Sequence, residues 1–131
     1  MTNLDSPRGY AVNQHDTYLE LHYRTFQGID DFDQGAKDLL ELASKTHITR
    51  LLLVIDLPYD AIGNEVRIEG LNLAQGFKYF DKIAVCAADP KQLDYLKRAG
   101  QALRVMNLLQ DPDNFEHFAS TAQGTAWLVT D

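Results

Sequence analysis

A chain of 131 residues with 45% hydrophobic residues can fill one buried core and is too short for two. Nineteen Asp and Glu against twelve Lys and Arg give a net charge of −7, which disfavours binding to nucleic-acid phosphates and anionic membranes. The single cysteine excludes an internal disulfide, and no apolar run approaches the roughly 18 residues needed to span a bilayer. We therefore expect a cytoplasmic protein with no nucleic-acid partner and no membrane span.

Strands are predicted near the start of the chain. Residues 1–9 are polar and irregular, so we expect a flexible N-terminal tail followed by a single domain over residues 10–131. Two strand-like runs, Tyr10–Val12 and Tyr18–Tyr23, flank the turn-prone residues 14–17. Their spacing predicts an antiparallel hairpin.

An amphipathic helix is predicted after the hairpin. Asp30 is of a residue type that caps helices, and the apolar residues after it recur along one helical stripe. The stripe consists of Phe32, Ala36, Leu39, Leu40 and Ala43. We expect this stripe to be buried against the sheet.

Two apolar runs are typical of strands that are covered on both faces. The first is Arg50 to Ile55, followed by Asp56, and the second is Lys82 to Ala87. We expect the first run in the middle of the sheet. Between the two runs, a helix is predicted because apolar and small residues recur at helical spacing. These residues are Val66, Gly70, Leu73, Phe77 and Phe80.

A long helix is predicted after the second buried strand. Asp89 followed by Pro90 is a helix start, because the carboxylate caps free N–H groups and proline has no N–H to leave unpaired. Gly100 weakens this helix by about 1 kcal/mol. One side should pack on the sheet, and it carries Leu93, Leu96, Gly100, Leu103 and Asn107.

The chain is expected to close with a short strand and a last helix. Phe115 to Ala119 has strand character and follows a turn cluster at residues 111–114. Ser120 or Thr121 can cap the last helix. Its apolar residues are Ala122, Ala126 and Trp127. We expect Trp127 to be buried on the inner face of this helix.

The predicted order β-β-α-β-α-β-α-β-α indicates an α/β fold. A hairpin followed by alternating strands and helices implies crossover connections and parallel strand pairing. We therefore predict a mostly parallel or mixed central sheet of about five strands, with an N-terminal hairpin and helices packed on it.

Five stretches spread over nearly the whole chain resemble one known family. They are Tyr18 to Tyr23, Arg50 to Asp56, Phe80 to Val85, Glu116 to Phe118 and Ala126 to Leu128. The family is the SpoIIAA-like branch of the STAS domains, also described as STAS/SEC14-like. The resemblance implies a SpoIIAA-like, STAS-like fold for residues 10–131, and we expect a bacterial protein.

Members of that fold act by binding partner proteins or small ligands, so the resemblance implies binding without catalysis. In the signalling branch, a serine at the start of the helix after the central strand is phosphorylated as a switch. The corresponding residues 56–65 contain no serine or threonine. The resemblance therefore does not extend to a phosphoserine site.

No set of residues is spaced like a catalytic or metal site. His15 and His22 lie seven residues apart on the predicted hairpin, and His47 and His117 stand alone, so surface or edge histidines are the plainer interpretation. Cys86 lies inside an apolar strand, where a thiol is a small buried hydrophobe. We predict no catalytic residue, no metal and no cofactor.

Asp56 and Asp89 are the carboxylates of greatest chemical interest. Each follows a predicted parallel strand, at the sheet edge where α/β proteins bind ligands, and the two together could hold Mg²⁺. The plainer interpretation is that Asp89 caps a helix and Asp56 opens a turn that contains Pro58. We favour this structural interpretation.

The loop from Leu57 to Asn64 is the predicted binding surface, because loops at this edge of a sheet commonly bind. The predicted contact residues are Tyr59, Asp60, Ile62 and Asn64. Pro58 restricts the backbone and so reduces the entropy lost on binding, while the acidic residues favour a neutral or cationic ligand. The alternative is that Tyr59 and Ile62 fold back over the core.

We predict a non-enzymatic regulatory or protein-interaction module. An alternative is a carrier of a small apolar or lipid-like molecule, which requires an apolar cavity of at least about 300 Å³. A third interpretation, a small hydrolase that uses Asp56 and a histidine, has the least support. The expected partner is another protein or a small apolar ligand, and a homodimer is a further candidate assembly.

Overall fold

The computed structural model describes residues 8–61 and 76–130, which form a five-stranded mixed sheet with helices packed on it. The strands lie in chain order, β1-β2-β3-β4-β5, with β1 and β2 antiparallel and the other neighbours parallel. Their bounds are Tyr10–Gln14, Leu19–Tyr23, Arg50–Ile55, Lys82–Cys86 and Phe115–Phe118. The predicted α/β fold, its N-terminal hairpin and the central position of β3 are confirmed.

Helices cover both faces of the sheet. They are α1, Ile29–Ser44; α2, Pro90–Val105; and α3, Thr121–Leu128. One face of the sheet packs with α1 and α2 in the larger core cluster. The opposite face packs with α3, which contacts β3, β4 and β5. The hairpin half of that second face is therefore not covered by α3.

Side-chain alternation along the strands explains these two layers. Leu19, Leu21 and Tyr23 of β2 point into the larger cluster, whereas the residues between them point to the other face. In β3 and β4 both faces are buried, as the continuous apolar runs predict. The prediction that Cys86 is buried is confirmed, since only 1% of its surface is exposed.

Two details of the first helix differ from the prediction. The helix starts at Ile29 with Gly28 in the N-cap position, and Asp30 lies inside the first turn instead of capping it. Gly28 has φ of 99°, a conformation that residues with a Cβ rarely adopt. Leu40 is 37% exposed, because the buried stripe is centred on Phe32, Ala36, Leu39 and Ala43 and leaves Leu40 at its margin.

The helix predicted between the two buried strands is only partly within the described residues. Val66, Gly70 and Leu73 lie outside them. Phe77 belongs to a single 3₁₀ turn, Gly76–Tyr79, and Phe80 follows that turn. Both phenylalanine side chains are buried, as expected from their apolar character.

The two C-terminal helices begin as predicted but differ from the prediction farther along. Asp89 caps α2 by accepting a hydrogen bond from the backbone of Lys91, and Ser120 caps α3 in the same way. The α2 helix ends at Val105, so Asn107 lies beyond it with φ of 58°.

The buried side of α3 is not the predicted one. Ala122 and Ala126 are exposed and Trp127 is only partly buried, so the prediction of a buried tryptophan is wrong in degree. Gly124 and Leu128 face the core instead, because positions four apart share a helix face and these two point at the sheet.

The sequence also predicted an N-terminal tail and no membrane-spanning segment. Residues 1–7 of the predicted tail lie outside the described residues, and the division into tail and domain stays a prediction. None of the helices in the described ranges has the length and apolar character needed to cross a bilayer.

Candidate functional site

Several polar side chains gather where β2, β3 and β4 end, at the carboxyl edge of the parallel strands. We define the carboxyl-edge surface as His22, Asp56, Tyr59, Asp60 and Asp89. The sheet register aligns Tyr23 with Ile55, and the chain leaves β3 and β4 at this edge. Open α/β sheets place ligands outside these strand ends, so this is the first position to consider for a binding surface.

The segment after β3 is held against the start of α2. The backbone N–H of Tyr59 donates to Oδ2 of Asp89 over 2.7 Å. The partly buried Tyr59 ring also lies 5.8 Å from the ring of Tyr95, centroid to centroid and tilted by 59°. Tyr59 therefore packs against α2 and is partly buried, and its role as a binding contact stays a prediction.

Asp89 has two structural tasks, of which the sequence predicted one. Its carboxylate accepts from the backbone of Tyr59 and also, through Oδ1, from that of Lys91 over 3.0 Å. The hydrogen bond from Tyr59, followed by those from the α2 backbone, holds the pKa of Asp89 below its usual value. The ionised carboxylate therefore both caps α2 and fixes the preceding loop.

Gln92 is a supporting residue that sequence reasoning missed. Its side chain is only 1% exposed, and its Nε2 donates to the carbonyl of Leu57 over 3.0 Å. A glutamine in the first turn of a helix resembles any solvated polar residue in sequence. Its burial follows from the position of the loop after β3, which no local pattern encodes.

A chain of alternating imidazoles and carboxylates extends from this surface across the hairpin. Nε2 of His22 lies 3.4 Å from Oδ2 of Asp56, and its Nδ1 lies 3.5 Å from Oε2 of Glu20. The other oxygen of Glu20 lies 2.8 Å from Nε2 of His15. The His15 ring in turn stacks on Tyr18 at 4.3 Å.

The chain of contacts follows from strand geometry. Glu20 and His22 are two residues apart on β2 and so share one face, the face that α3 leaves uncovered at the hairpin. His15 and His22 are partly exposed, which is close to the expected surface histidines, but both contact the same carboxylate, that of Glu20. The Glu-x-His spacing in a predicted strand was the available signal.

The charges at the carboxyl-edge surface favour a cationic or neutral partner. Asp56 and Asp60 are exposed, and the Asp56 side chain is 58% exposed. Asp56 contacts His22, whereas Asp89 accepts from backbone N–H groups, so the two carboxylates have separate structural partners. Across residues 8–61 and 76–130, no three or more His, Cys, Asp and Glu side chains are grouped to hold a metal ion.

The remaining predicted contact residues, Ile62 and Asn64, lie outside the described residues. The structure brings Tyr59 and Asp60 to one edge with Asp56 and Asp89. The assignment of this loop as a binding surface stays a prediction.

Cys86 is on the face that packs with α3. Burial, and secondarily the charge of Glu20, raise the pKa of its thiol to about 11. The thiolate is the reactive form of cysteine, so a buried thiol with a raised pKa is a poor nucleophile. The structure therefore gives Cys86 a packing role.

Comparison with known proteins supports the fold. No protein-family model matches the chain, and no curated protein matches it. A solved structure does: an uncharacterized protein of the DUF3478 family with a SpoIIAA-like fold, from Shewanella loihica PV-4. The two share 21% sequence identity over 91% of each chain, with a TM-score of 0.58. This similarity shows that the chain has a SpoIIAA-like fold, as the sequence resemblance implied.

Proposed function

We propose that this SpoIIAA-like domain is a non-enzymatic regulatory module that binds another protein through its carboxyl-edge surface. The supporting observation is the attachment of the loop after β3 to the start of α2, through Tyr59 and Asp89. A loop that is already held in place loses less conformational entropy when a partner binds. Such a loop is suited to recognition.

The side chains of this surface fit a protein partner that carries basic residues. Tyr59 presents a partly buried aromatic ring, and aromatic rings often contribute most of the binding energy at protein interfaces. The carboxylates of Asp56 and Asp60, close to Tyr59 in sequence, are exposed and would attract positive charge. The net charge of −7 acts in the same direction at longer range.

The alternative, a carrier of a small apolar ligand, receives no support from the clefts formed by described residues alone. One cleft of about 450 Å³ is lined by polar and charged side chains, including Thr49, Asp81 and Asn114. Another of about 530 Å³ is lined by the polar hairpin turn and Val129. A lipid-like molecule requires a mostly apolar lining.

The test combines a surface variant with a matched control. We expect a partner protein to co-purify with the wild type, and Tyr59→Ala with Asp60→Lys to abolish its binding, because the change removes the ring and reverses one charge. The control, Tyr79→Ala with Asp113→Lys, changes an exposed aromatic and an exposed acidic residue before β4 and β5, at the opposite edge. It should retain the partner.

Native mass spectrometry of untagged protein measures which mass remains bound to each chain. A protein-sized mass on the wild type and the control, absent from the Tyr59 variant at an unchanged melting temperature, supports the proposal. Equal partner binding by both variants would contradict it. A small-molecule adduct on all three chains would instead favour the carrier.

A further inference from the structure

The hairpin strand β1 forms one margin of the sheet, and its hydrogen bonds establish which backbone groups face outward. Gly9 O accepts from Arg24 N, and His15 N donates to Tyr18 O. In the register of β1 on β2, opposite residues alternate between hydrogen-bonded and non-hydrogen-bonded pairs. Odd-numbered residues of β1 therefore bond to β2.

The even-numbered residues consequently direct their N–H and C=O groups away from β2. These are Tyr10, Val12 and Gln14. Among the described residues, no strand lies beyond β1, which ends the sheet. The outer margin thus offers three regularly spaced donor and acceptor pairs to another strand.

The residues of β1 lack two of the features by which proteins prevent edge pairing, namely charge and proline. The sequence of β1 is Tyr-Ala-Val-Asn-Gln, with no charged residue and no proline, in a chain of which 24% is charged. The opposite margin, β5, contains Glu116, and Arg104 donates to the Phe115 carbonyl over 2.8 Å. In the described part of the chain, β1 is therefore the one edge strand without a charged residue.

We infer that the outer margin of β1 pairs with the same margin of a second copy of this chain, antiparallel and with Val12 on a two-fold axis. In this register Tyr10 pairs with the partner's Gln14, and Val12 pairs with the partner's Val12. Each of these pairs joins two outward-facing residues, so every outward N–H and C=O of the strand finds a partner. A two-fold axis makes the margin complementary to itself.

The side chains fit this arrangement as well. Tyr10, Val12 and Gln14 share the face covered by α1, where two β-branched valines would meet at the axis. On the other face Ala11 lies opposite the partner's Asn13. No pair in the strand register opposes two like charges, although each copy has a net charge of −7.

The expected association is weak and depends on concentration. One short strand buries less surface than the about 1,600 Å² of a standard protein interface. The outward-facing residues of β1 are not members of the carboxyl-edge surface, although Ala11 pairs with His22, so self-association does not require the proposed partner. Experiments on the purified chain alone are therefore sufficient.

Sedimentation velocity over a concentration series up to about 1 mM tests the inference. The wild type should shift from monomer to dimer, and Val12→Lys should weaken dimerisation at least about tenfold by opposing two lysines on the axis. Ala11→Lys is the matched control: it adds the same charge one residue away, where it faces the partner's Asn13. It should weaken dimerisation much less than Val12→Lys does, because its lysine does not oppose a second lysine.

Gln14→Pro is a second variant, because Val12 contributes to the core and its replacement can lower stability. Residue 14 is exposed, and proline removes an outward N–H without touching the bonds to β2. We expect this variant to remain folded and to dimerise less. Amide exchange should slow at residues 10, 12 and 14 of the wild type as concentration rises.

A wild type that stays monomeric over the whole series would overturn the inference. So would a dimer that Val12→Lys and Ala11→Lys weaken equally, or one in which amides 10, 12 and 14 exchange as fast as in the monomer. A slowing confined to these amides, together with the predicted order of the variants, supports it.

Discussion

The protonation of His117 is coupled to folding, because its pKa is lowered in the folded protein. It lies on β5 with its ring 5.1 Å from that of Phe115, beneath α2. A Cβ at Gly100 would lie 2.8 Å from Cε1 of His117, so α2 approaches the strand closely because residue 100 is glycine. The pKa of His117 is lowered to about 4, mainly by burial; a hydrogen bond with the Leu96 backbone opposes this shift, and the nearby charges of Arg104 and Lys97 add to it.

Stability is expected to fall in acid through this histidine. Its pKa decreases from the usual 6.5 to about 4 on folding, so between these values the unfolded chain binds more protons. The stabilisation is complete above pH 6.5 and is lost as the pH falls towards 4. Allowing for partial exposure, we expect a loss of about 1–2 kcal/mol, measured by urea unfolding at pH 7.5 and 4.5.

Two histidine variants separate this effect from general acid denaturation. His117→Gln should lose less stability between the two pH values than the wild type does. His47→Gln, which changes an exposed histidine, should behave like the wild type. An equal loss of stability in all three proteins would show that His117 is not the group responsible.

At the level of elements, the junction between β3 and α2 is held by side chains from the first turn of the helix. Asp89 and Gln92 bond the backbone of the loop at Tyr59 and Leu57, respectively. The start of α2 and the proposed recognition loop are thereby joined. A substitution that weakens the first turn of α2 should therefore also reduce the order of this loop.

Gln92→Leu should destabilise the domain by about 1–3 kcal/mol, because the variant removes the side-chain donor to the Leu57 carbonyl in a buried position. Gln101→Leu makes the same exchange at an exposed position of the same helix and should change stability by less than about 0.5 kcal/mol. The denaturation midpoints in urea provide the comparison. Similar midpoints for the two variants would contradict the role given to Gln92.

For the whole molecule, the C-terminal helix covers the part of the second face formed by β3, β4 and β5. Arg50 of β3 donates to the Leu128 carbonyl over 2.9 Å, and Lys82 of β4 donates to the Thr130 carbonyl over 2.6 Å. The ammonium of Lys82 also lies 4.7 Å from the centre of the Trp127 ring. Two central strands therefore hold the end of α3 against the sheet.

Leu128→Ala should cost about 2–5 kcal/mol, since its side chain is fully buried and its removal leaves a cavity. Trp127→Ala should cost less despite the larger side chain, because the tryptophan is only partly buried. Thermal or urea unfolding of both variants establishes the order. A greater loss for Trp127→Ala would restore the original expectation that the tryptophan is the principal inner residue.

Local sequence patterns were sufficient to predict the strands, most helix starts and the fold class. The apolar runs of β3 and β4 indicate burial on both faces, and the Asp89-Pro90 pair marks a helix start through the chemistry of two adjacent residues. These features depend on neighbours in the chain. The order of elements then restricts the topology to a few arrangements.

Long-range packing determined which helix residues are buried and which side chains form the candidate site. Whether Leu40 or Trp127 is buried depends on the angle at which a helix meets the sheet, which its own periodicity does not specify. Likewise, Gln92 meets Leu57 and His22 meets Asp56 across 35 and 34 residues of chain. Such contacts between distant segments arise only when the strands are paired, so the candidate site emerged from the tertiary structure while its strand-end position followed from the sequence.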